Sequence, residues 1–572
     1  MTKAARLSAR LVVAAIPRIG SGSGSVHRMS EKGQQAPNRR RAMRQSARIL
    51  VAGVSLMCAG SNLAQAQKTG GILRVYHRDS PASMSIHEEG TVGVLMPMMG
   101  VFNNLMIFDQ HIEQNSADTI RPELATSWTW NADRTALTLT LRDGVRWHDG
   151  KPFTAADVKC TFDLLTNQAP EKLRLNYRGS WWFNVAGTSV NGEHEATIHL
   201  KRPQPALLEM LAAGGTPVYP CHVPPREMRQ HPIGTGPFRF VEYKPNQSIK
   251  LERNPDYWKP GRPYLDGIEY TIIPNRSTAL LAFIAGKFDM TFPNEVTVPL
   301  LKDVREQAPR AICQLMPSSE AIGLLVNRTV PPFDNPDLRR AMALAIDRKS
   351  FIDILGSGEG DIGGAMQPAP AGVWGLPTAM LADVPGYSGD INANREEARA
   401  IMRRLGYGPD NRLAFKMSVR NLAVYRDPGT LLIDQLKEIY FDGELELTET
   451  ATWVPKLIRK DYRVALSVLG NMVDDPDVMF YQNHVCGSAR NYTGHCNPAL
   501  DRKIDEQSME TDPLRRRQLV WEIDHTLQQE LARPILYHLR AGTCWQPEVK
   551  GLTLMVNSQY NGWRMEDVWL DR

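Results

Sequence analysis

Beyond its first 66 residues the sequence has no uninterrupted apolar run approaching eighteen residues. A bilayer-spanning helix takes roughly 20, so that part of the chain carries no membrane span. The G-x-x-x-x-G-K-[ST] loop that cradles nucleotide phosphates is missing, which removes the P-loop ATPases. So is the G-x-S-x-G elbow of the serine hydrolases. His194-Glu195 and His199 come close to a zinc-protease motif but with the spacing H-E-x-x-x-H. Ala196, Ile198 and Leu200 alternate there, so the segment reads as a strand that throws the two His to opposite faces, where they cannot share a metal. No internal repeat or low-complexity tract occurs.

What is present is an ordinary globular composition, 42% hydrophobic and 23% charged, in 572 residues. That length exceeds a single core and implies two or three domains. The formal charge of +5 misleads, because residues 1–66 hold eleven Lys/Arg against one acid, Glu31. Without them the remainder stands near −5, with no basic stripe for nucleic acid.

That first segment reads as an export leader. Arg39, Arg40, Arg41, Arg44 and Arg48 precede a short apolar run at 49–60, and Ala64-Gln65-Ala66 supplies a small-x-small cleavage pattern. The expected mature chain begins at Gln67, with Met1 or Met29 as the start of translation. Ser55 and Met57 make no lipobox around Cys58.

Of seven cysteines, six remain after cleavage. An even number in an oxidising compartment favours disulfides. Cys486 and Cys496 bracket a polar loop and are expected to pair. The rival is a zinc site from His484, Cys486, His495 and Cys496, whose spacing matches no standard zinc pattern. Cys160–Cys221 and Cys313–Cys544 are the pairings adopted for the rest, with buried free thiols as the alternative.

Helix and strand signals interleave throughout, as in α/β or α+β proteins of several lobes. A strand is expected at 135–142, where Leu137, Leu139 and Leu141 share a face, and a second at 145–148. Thr154 with Asp157 opens a helix as a capping box. Asn335 caps another, with Pro336 in its first position. Asn394 is read as the cap of a third, stopped by Gly406, and Asp512-Pro513 starts a fourth that runs to Pro534.

Several motifs then carry a resemblance. Arg121-Pro122-Glu123-Leu124-Ala125 and Leu141-Arg142-Asp143-Gly144-Val145-Arg146-Trp147-His148-Asp149-Gly150 come first. Gly234-Thr235-Gly236-Pro237-Phe238, Arg253-Asn254-Pro255-Asp256-Tyr257-Trp258 and Gly286-Lys287-Phe288-Asp289 follow, then Pro332-Phe333-Asp334-Asn335-Pro336, Asp475-Pro476-Asp477 and Asn497-Pro498-Ala499-Leu500-Asp501. In type and order they resemble the extracytoplasmic solute-binding proteins of family 5, the oligopeptide, dipeptide and nickel type. The resemblance implies an α/β two-lobed periplasmic-binding-protein fold with an extra α+β subdomain in lobe I. Lobe I would take 67–105, 217–320 and 541–572, the subdomain 106–216 and lobe II 321–540. It further implies a monomeric periplasmic receptor of an ABC importer, working with membrane permease and ATPase subunits. No catalytic residue, cofactor, metal or nucleic acid is expected, and an exported hydrolase on this scaffold is the alternative of another class. Gly234 and Gly236 read as a tight turn, Trp128, Trp147, Tyr257 and Trp258 as core, and Asp475-Pro476 as a loop at the cleft.

One stretch bears on the solute. Peptide-binding members carry a run Y-D-x-x-x-R-x-x-W-x-x-D-x-x-[DE]-P whose aspartate meets the peptide ammonium. The chain is read as keeping that frame from Tyr462 to Asp475-Pro476, with Leu466, Leu469 and Met472 at the three chemical positions. An ammonium buried against them would lack a counter-charge. This shifts the expectation from ordinary peptides towards a peptide held otherwise, or a non-peptide organic solute with an apolar part. Asp474 is the fallback anchor, and Asn471, Trp374, Tyr425 and His87 are further cleft candidates by position. Nickel is not expected, since no His is placed clearly in the cleft and His87 is a candidate by position alone.

Overall fold

The computed structural model describes residues 67–556 and 560–572. The expected leader, with Cys58, lies outside the described residues. Three sheets organise what remains. The first holds Ile72–His77, Gly267–Ile272, Ser248–Arg253 and Phe238–Lys244 side by side. Its first pair is parallel and the others antiparallel. The second, with Ala125–Trp130, Ala136–Leu141, Glu195–Leu200 and Val185–Val190, is antiparallel throughout. The third has five strands in the order Phe441–Thr448, Leu413–Arg420, Val464–Gly470, Ile312–Val326, Ile535–Trp545.

Two of these strands connect the lobes. One end of Ile312–Val326 pairs Cys313 with Cys544 and sends Met316 into a core shared with residues of the first sheet. The other end sends Ile322 and Leu324 into a separate core with Leu536 and Tyr537. The register with Ile535–Trp545 shifts between Pro317 and Ala321, where Ser319 is left-handed at φ 53°. A break of this kind bends a strand pair and re-aims it.

Local signals explain most element boundaries. Thr154 and Asp157 form the reciprocal capping box that starts Ala155–Leu165, satisfying donors the first helical turn leaves free. Asn335 accepts from Asp337 N ahead of Pro336–Leu344, and Asp512 accepts from Leu514 N and Arg515 N ahead of Pro513–Gln529. At Gly234, an added Cβ would meet Val101 O at 1.9 Å, so this turn admits no side chain.

Three expectations need correction. Residues 145–148 form no strand. Trp147 N bonds to Lys151 O around the Asp149-Gly150 turn, and only the bridge Arg146–Pro152 is sheet-like. The third helix, Ile391–Arg404, is capped by Asp390, whose carboxylate accepts from Asn392 N and Ala393 N. Asn394 lies inside its first turn and bonds to Ser388 instead. The fourth ends at Gln529, five residues before Pro534, where the chain turns through a left-handed Leu531.

The six cysteines among the described residues are paired as expected: Cys160–Cys221, Cys313–Cys544 and Cys486–Cys496. Of the rival zinc ligands, His495 bonds to the Glu530 carboxylate at 2.6 Å.

Candidate functional site

A cavity of about 60 Å³ lies between the lobes. The first lobe contributes Arg78, the turn Gly90-Thr91-Val92 and Trp181, and the second Arg420, Tyr425, Trp453, Val468 and Arg490. Tyr560 enters from the C-terminal segment. The two sides are bonded around this space. Arg420, extending from the end of its strand, forms an ion pair with Asp79 and donates to Thr450 Oγ1 at 2.9 Å. Trp181 Nε1 donates to Gln482 Oε1 at 2.8 Å, and Gln204 Nε2 to Asp477 at 2.9 Å.

The electrostatics of the wall follow from these partners. Burial alone would raise the Asp79 carboxyl, but Arg420, His77 and Arg78 hold it below the ordinary range. Burial would lower the Arg78 guanidinium, yet Glu295 at 2.8 Å and the nearby Asp79 and Glu320 carboxylates raise it. Glu320 accepts from Tyr560 Oη at 2.6 Å. Gly470 makes room for that phenol, since a Cβ there would sit 2.4 Å from it. The rest is apolar and aromatic: Trp453 meets Tyr425 edge to face at 6.1 Å, with Met472, Val478 and Leu457 beside them.

Of the eight solute-contact candidates, the structure brings Met472 and Tyr425 to this wall. Leu466 is fully buried in the lobe II core, with Leu324 and Leu436. Leu469 is buried on another side, with Ala321, Met479 and Phe480. Neither lines the cavity, for a plain reason. Val464–Gly470 is a strand, whose side chains alternate, so positions three apart cannot share a face. The wall takes Val468, Gly470 and Met472, spaced by two, with Ser467 at its edge. The frame also fails to hold at both ends. Counted back from Pro476 it falls on 466, 469 and 472, but forward from Tyr462 it falls on Ser467, Gly470 and Val473. A slip of one residue exchanges the two faces.

Of the other candidates, His87, Asp474 and Trp374 have structural partners outside the wall. His87 is buried under Tyr219, its Nε2 2.9 Å from Pro217 O, and burial lowers its pKa to about 3. Asp474 accepts from Val373 N at 2.9 Å and is pushed up to about 7, chiefly by burial. Trp374 donates to Asp474 O and lies under the Arg516 guanidinium. Asn471 is buried next to Met472, and neither atom of its amide meets a partner among the described residues. Asp475 caps Pro476–Asn483 and receives Arg516 through two bonds of 2.7 and 2.9 Å. Trp147 is core, and none of Trp128, Tyr257 and Trp258 lines the cavity.

Sequence reasoning missed Arg420, Trp453, Trp181, Gln482, Arg490 and Tyr492. For the last two there was a signal. Both lie inside the loop closed by Cys486 and Cys496, which was read for its cysteines and for the family motif Asn491-Tyr492-Thr493 but not for ligand contact.

Comparison with known proteins agrees with this architecture. The family model "Bacterial extracellular solute-binding proteins, family 5 Middle" matches residues 119–491. The oligopeptide-binding protein AppA of Bacillus subtilis is 26% identical over 418 residues, covering 69% of this chain and 73% of its own. The structure superposes on the periplasmic binding protein DppA of Helicobacter pylori, solved with the peptide STSA, with a TM-score of 0.77 at 20% identity, over 88% of this chain and 99% of that one. AgaA of A. tumefaciens R10, solved with agropinic acid, gives 0.75 at 20% identity over the same shares. With more than half of its length matched and its two-lobed fold shared, the chain belongs to the bacterial extracellular solute-binding proteins of family 5.

Proposed function

We propose that this chain is the periplasmic receptor of an ABC importer, enclosing a small organic solute between its lobes and presenting the closed form to a membrane permease driven by ATPase subunits. The observation that carries the reading is the cavity itself, walled from both lobes and ringed by interlobe bonds. Hinge closure on a ligand makes and breaks such bonds together. In this reading lobe I comprises 67–105, 217–320 and 541–572 with its subdomain at 106–216, lobe II comprises 321–540, and export removes residues 1–66. The relatives named for oligopeptides, and solved with a peptide, support a peptide or peptide-like solute.

A second reading, a non-peptide organic solute with an apolar part, is favoured by Met472 at the wall, where the lining carboxylate, Glu320, is already engaged by Tyr560. The solute complex of AgaA supports it. The test is a thermal-shift and calorimetric screen of the mature chain, followed by mass analysis of the solute afterwards. A receptor is stabilised in proportion to free ligand and returns it unchanged, whereas turnover would replace this reading with a hydrolase.

A further inference from the structure

Cations and anions at the cavity do not balance. Arg78 is answered by Glu295, Arg420 by Asp79, and Glu320 by Tyr560 and Arg78. Three further guanidiniums have no carboxylate within ion-pair distance among the described residues: Arg490, Arg178 and Arg533. Arg490 lines the cavity, half-buried, with its Nε enclosed and without a partner. Arg533 is buried directly behind the wall and donates to the carbonyls of Ser467 at 3.3 Å and Val468 at 3.0 Å, both lining residues. Arg178 is buried on the lobe I side and donates to the carbonyls of Ile86 at 2.8 Å and Glu89 at 3.3 Å, just ahead of the lining turn at Gly90.

Room for the two buried guanidiniums is made by glycine. A Cβ on Gly323 would lie 2.8 Å from Arg533, and one on Gly215 would lie 2.8 Å from Arg178. Carbonyl dipoles take up part of their N–H groups, Arg533 Nε being left without a partner, and do not cancel their charge. Burial lowers both to about 10, and Arg490 adds to the lowering in each case. An uncompensated buried charge is costly, and the like charge of Arg490 bears on both buried guanidiniums.

We propose that the solute carries a carboxylate, received by Arg490 at the cavity wall, and that this anion offsets the repulsion between Arg490 and the two buried arginines and so makes closure favourable. A guanidinium offers a planar fork matched to a carboxylate. The remainder of such a solute would lie against Trp181, Trp453, Val468 and Met472. An ammonium group meets the wrong sign of field. The inference rests on the receptor reading and narrows its ligand to organic acids.

The deciding experiment offers the solute-free chain two matched libraries, one of free carboxylic acids (N-acetyl dipeptides, N-acyl amino acids, aromatic and aliphatic monoacids) and one of their primary amides. Capture is read by native mass spectrometry. The expected result is capture of acids at least about tenfold above amides, as for loss of a charge-assisted bond. Arg490→Gln should lose that preference while melting as the unmodified chain does, and Arg490→Lys should keep part of it. Equal capture of amides, or an acid preference that survives in Arg490→Gln, overturns the inference and leaves the receptor reading standing. Capture from neither library overturns both.

Discussion

The indole of Trp181 and the side-chain amide of Gln482 are joined by a 2.8 Å hydrogen bond across the cleft, although they lie 301 positions apart in the chain. Gln204 reaches Asp477, and Arg202 reaches Tyr481 and Asp505, from the same side. In the receptor reading these contacts would hold the lobes closed, so weakening one should act on closure. Trp181→Phe keeps the ring and removes the donor. It is expected to weaken solute binding by roughly tenfold, the worth of about one hydrogen bond, and to raise the radius of gyration at subsaturating solute in small-angle scattering.

Leu466 and Met472 should differ in their effect on binding. Leu466→Ala deletes a fully buried core side chain and is expected to cost about 2–5 kcal/mol in denaturant unfolding, leaving the affinity of the folded protein nearly unchanged. Met472→Ala removes a side chain that both lines the cavity and packs in the first core, so it is expected to weaken calorimetric affinity as well as to cost stability. If Leu466→Ala weakens binding as much as Met472→Ala, the assignment of the wall to alternate residues fails.

The Cys486–Cys496 bridge closes the loop that carries Arg490 and Tyr492. Replacing both cysteines by serine is expected to cost about 2–3 kcal/mol by the chain-entropy relation for so short a loop. Solute affinity should fall as well, because the loop no longer holds Arg490 in place. Unfolding curves and calorimetry on the same preparation test both parts.

Asp474 gives a pH dependence whose sign is fixed. Its carboxyl is raised to about 7 in the fold, chiefly by burial, from an ordinary value near 3.8. The folded state therefore holds the proton more tightly than the unfolded one, and stability is lost as pH rises from about 4 through 7. Asp474→Asn keeps an acceptor for Val373 N and cannot ionise. Its melting temperature should exceed that of the unmodified chain at pH 8, with the difference shrinking towards pH 5. Glu89 is likewise raised to about 7 by burial, so only the difference between the two proteins reports on Asp474.

Processing is checked by intact mass. The exported protein is expected to begin at Gln67 with three disulfides, and a lipid on Cys58 or a retained leader would contradict it.

How much of this was legible in the sequence depends on the range of the interaction. Capping boxes, prolines at the first helical position and the bracketing of a nine-residue loop by cysteines act over a few positions, so Thr154, Pro336 and Cys486–Cys496 could be read directly. The ordered motifs from Arg121 to Asp501 identified the family, and with it the lobed fold. Even locally, competing caps misled: Asp390 and Asn394 are both able to start a helix, and only packing chose Asp390.

The cavity was of another kind. Arg178, Arg420, Trp453 and Arg490 are spread over more than three hundred positions and carry no shared pattern. Which of them meet is decided by how two sheets are bent about Ile312–Val326 and Ile535–Trp545. The face of a strand is decided by its pairing register, and in Val464–Gly470 one residue of register separates a core leucine from a wall residue. Composition and motif fixed the kind of protein, and the tertiary structure alone determined which charges its cleft leaves unanswered, because charge balance is a property of distances in space.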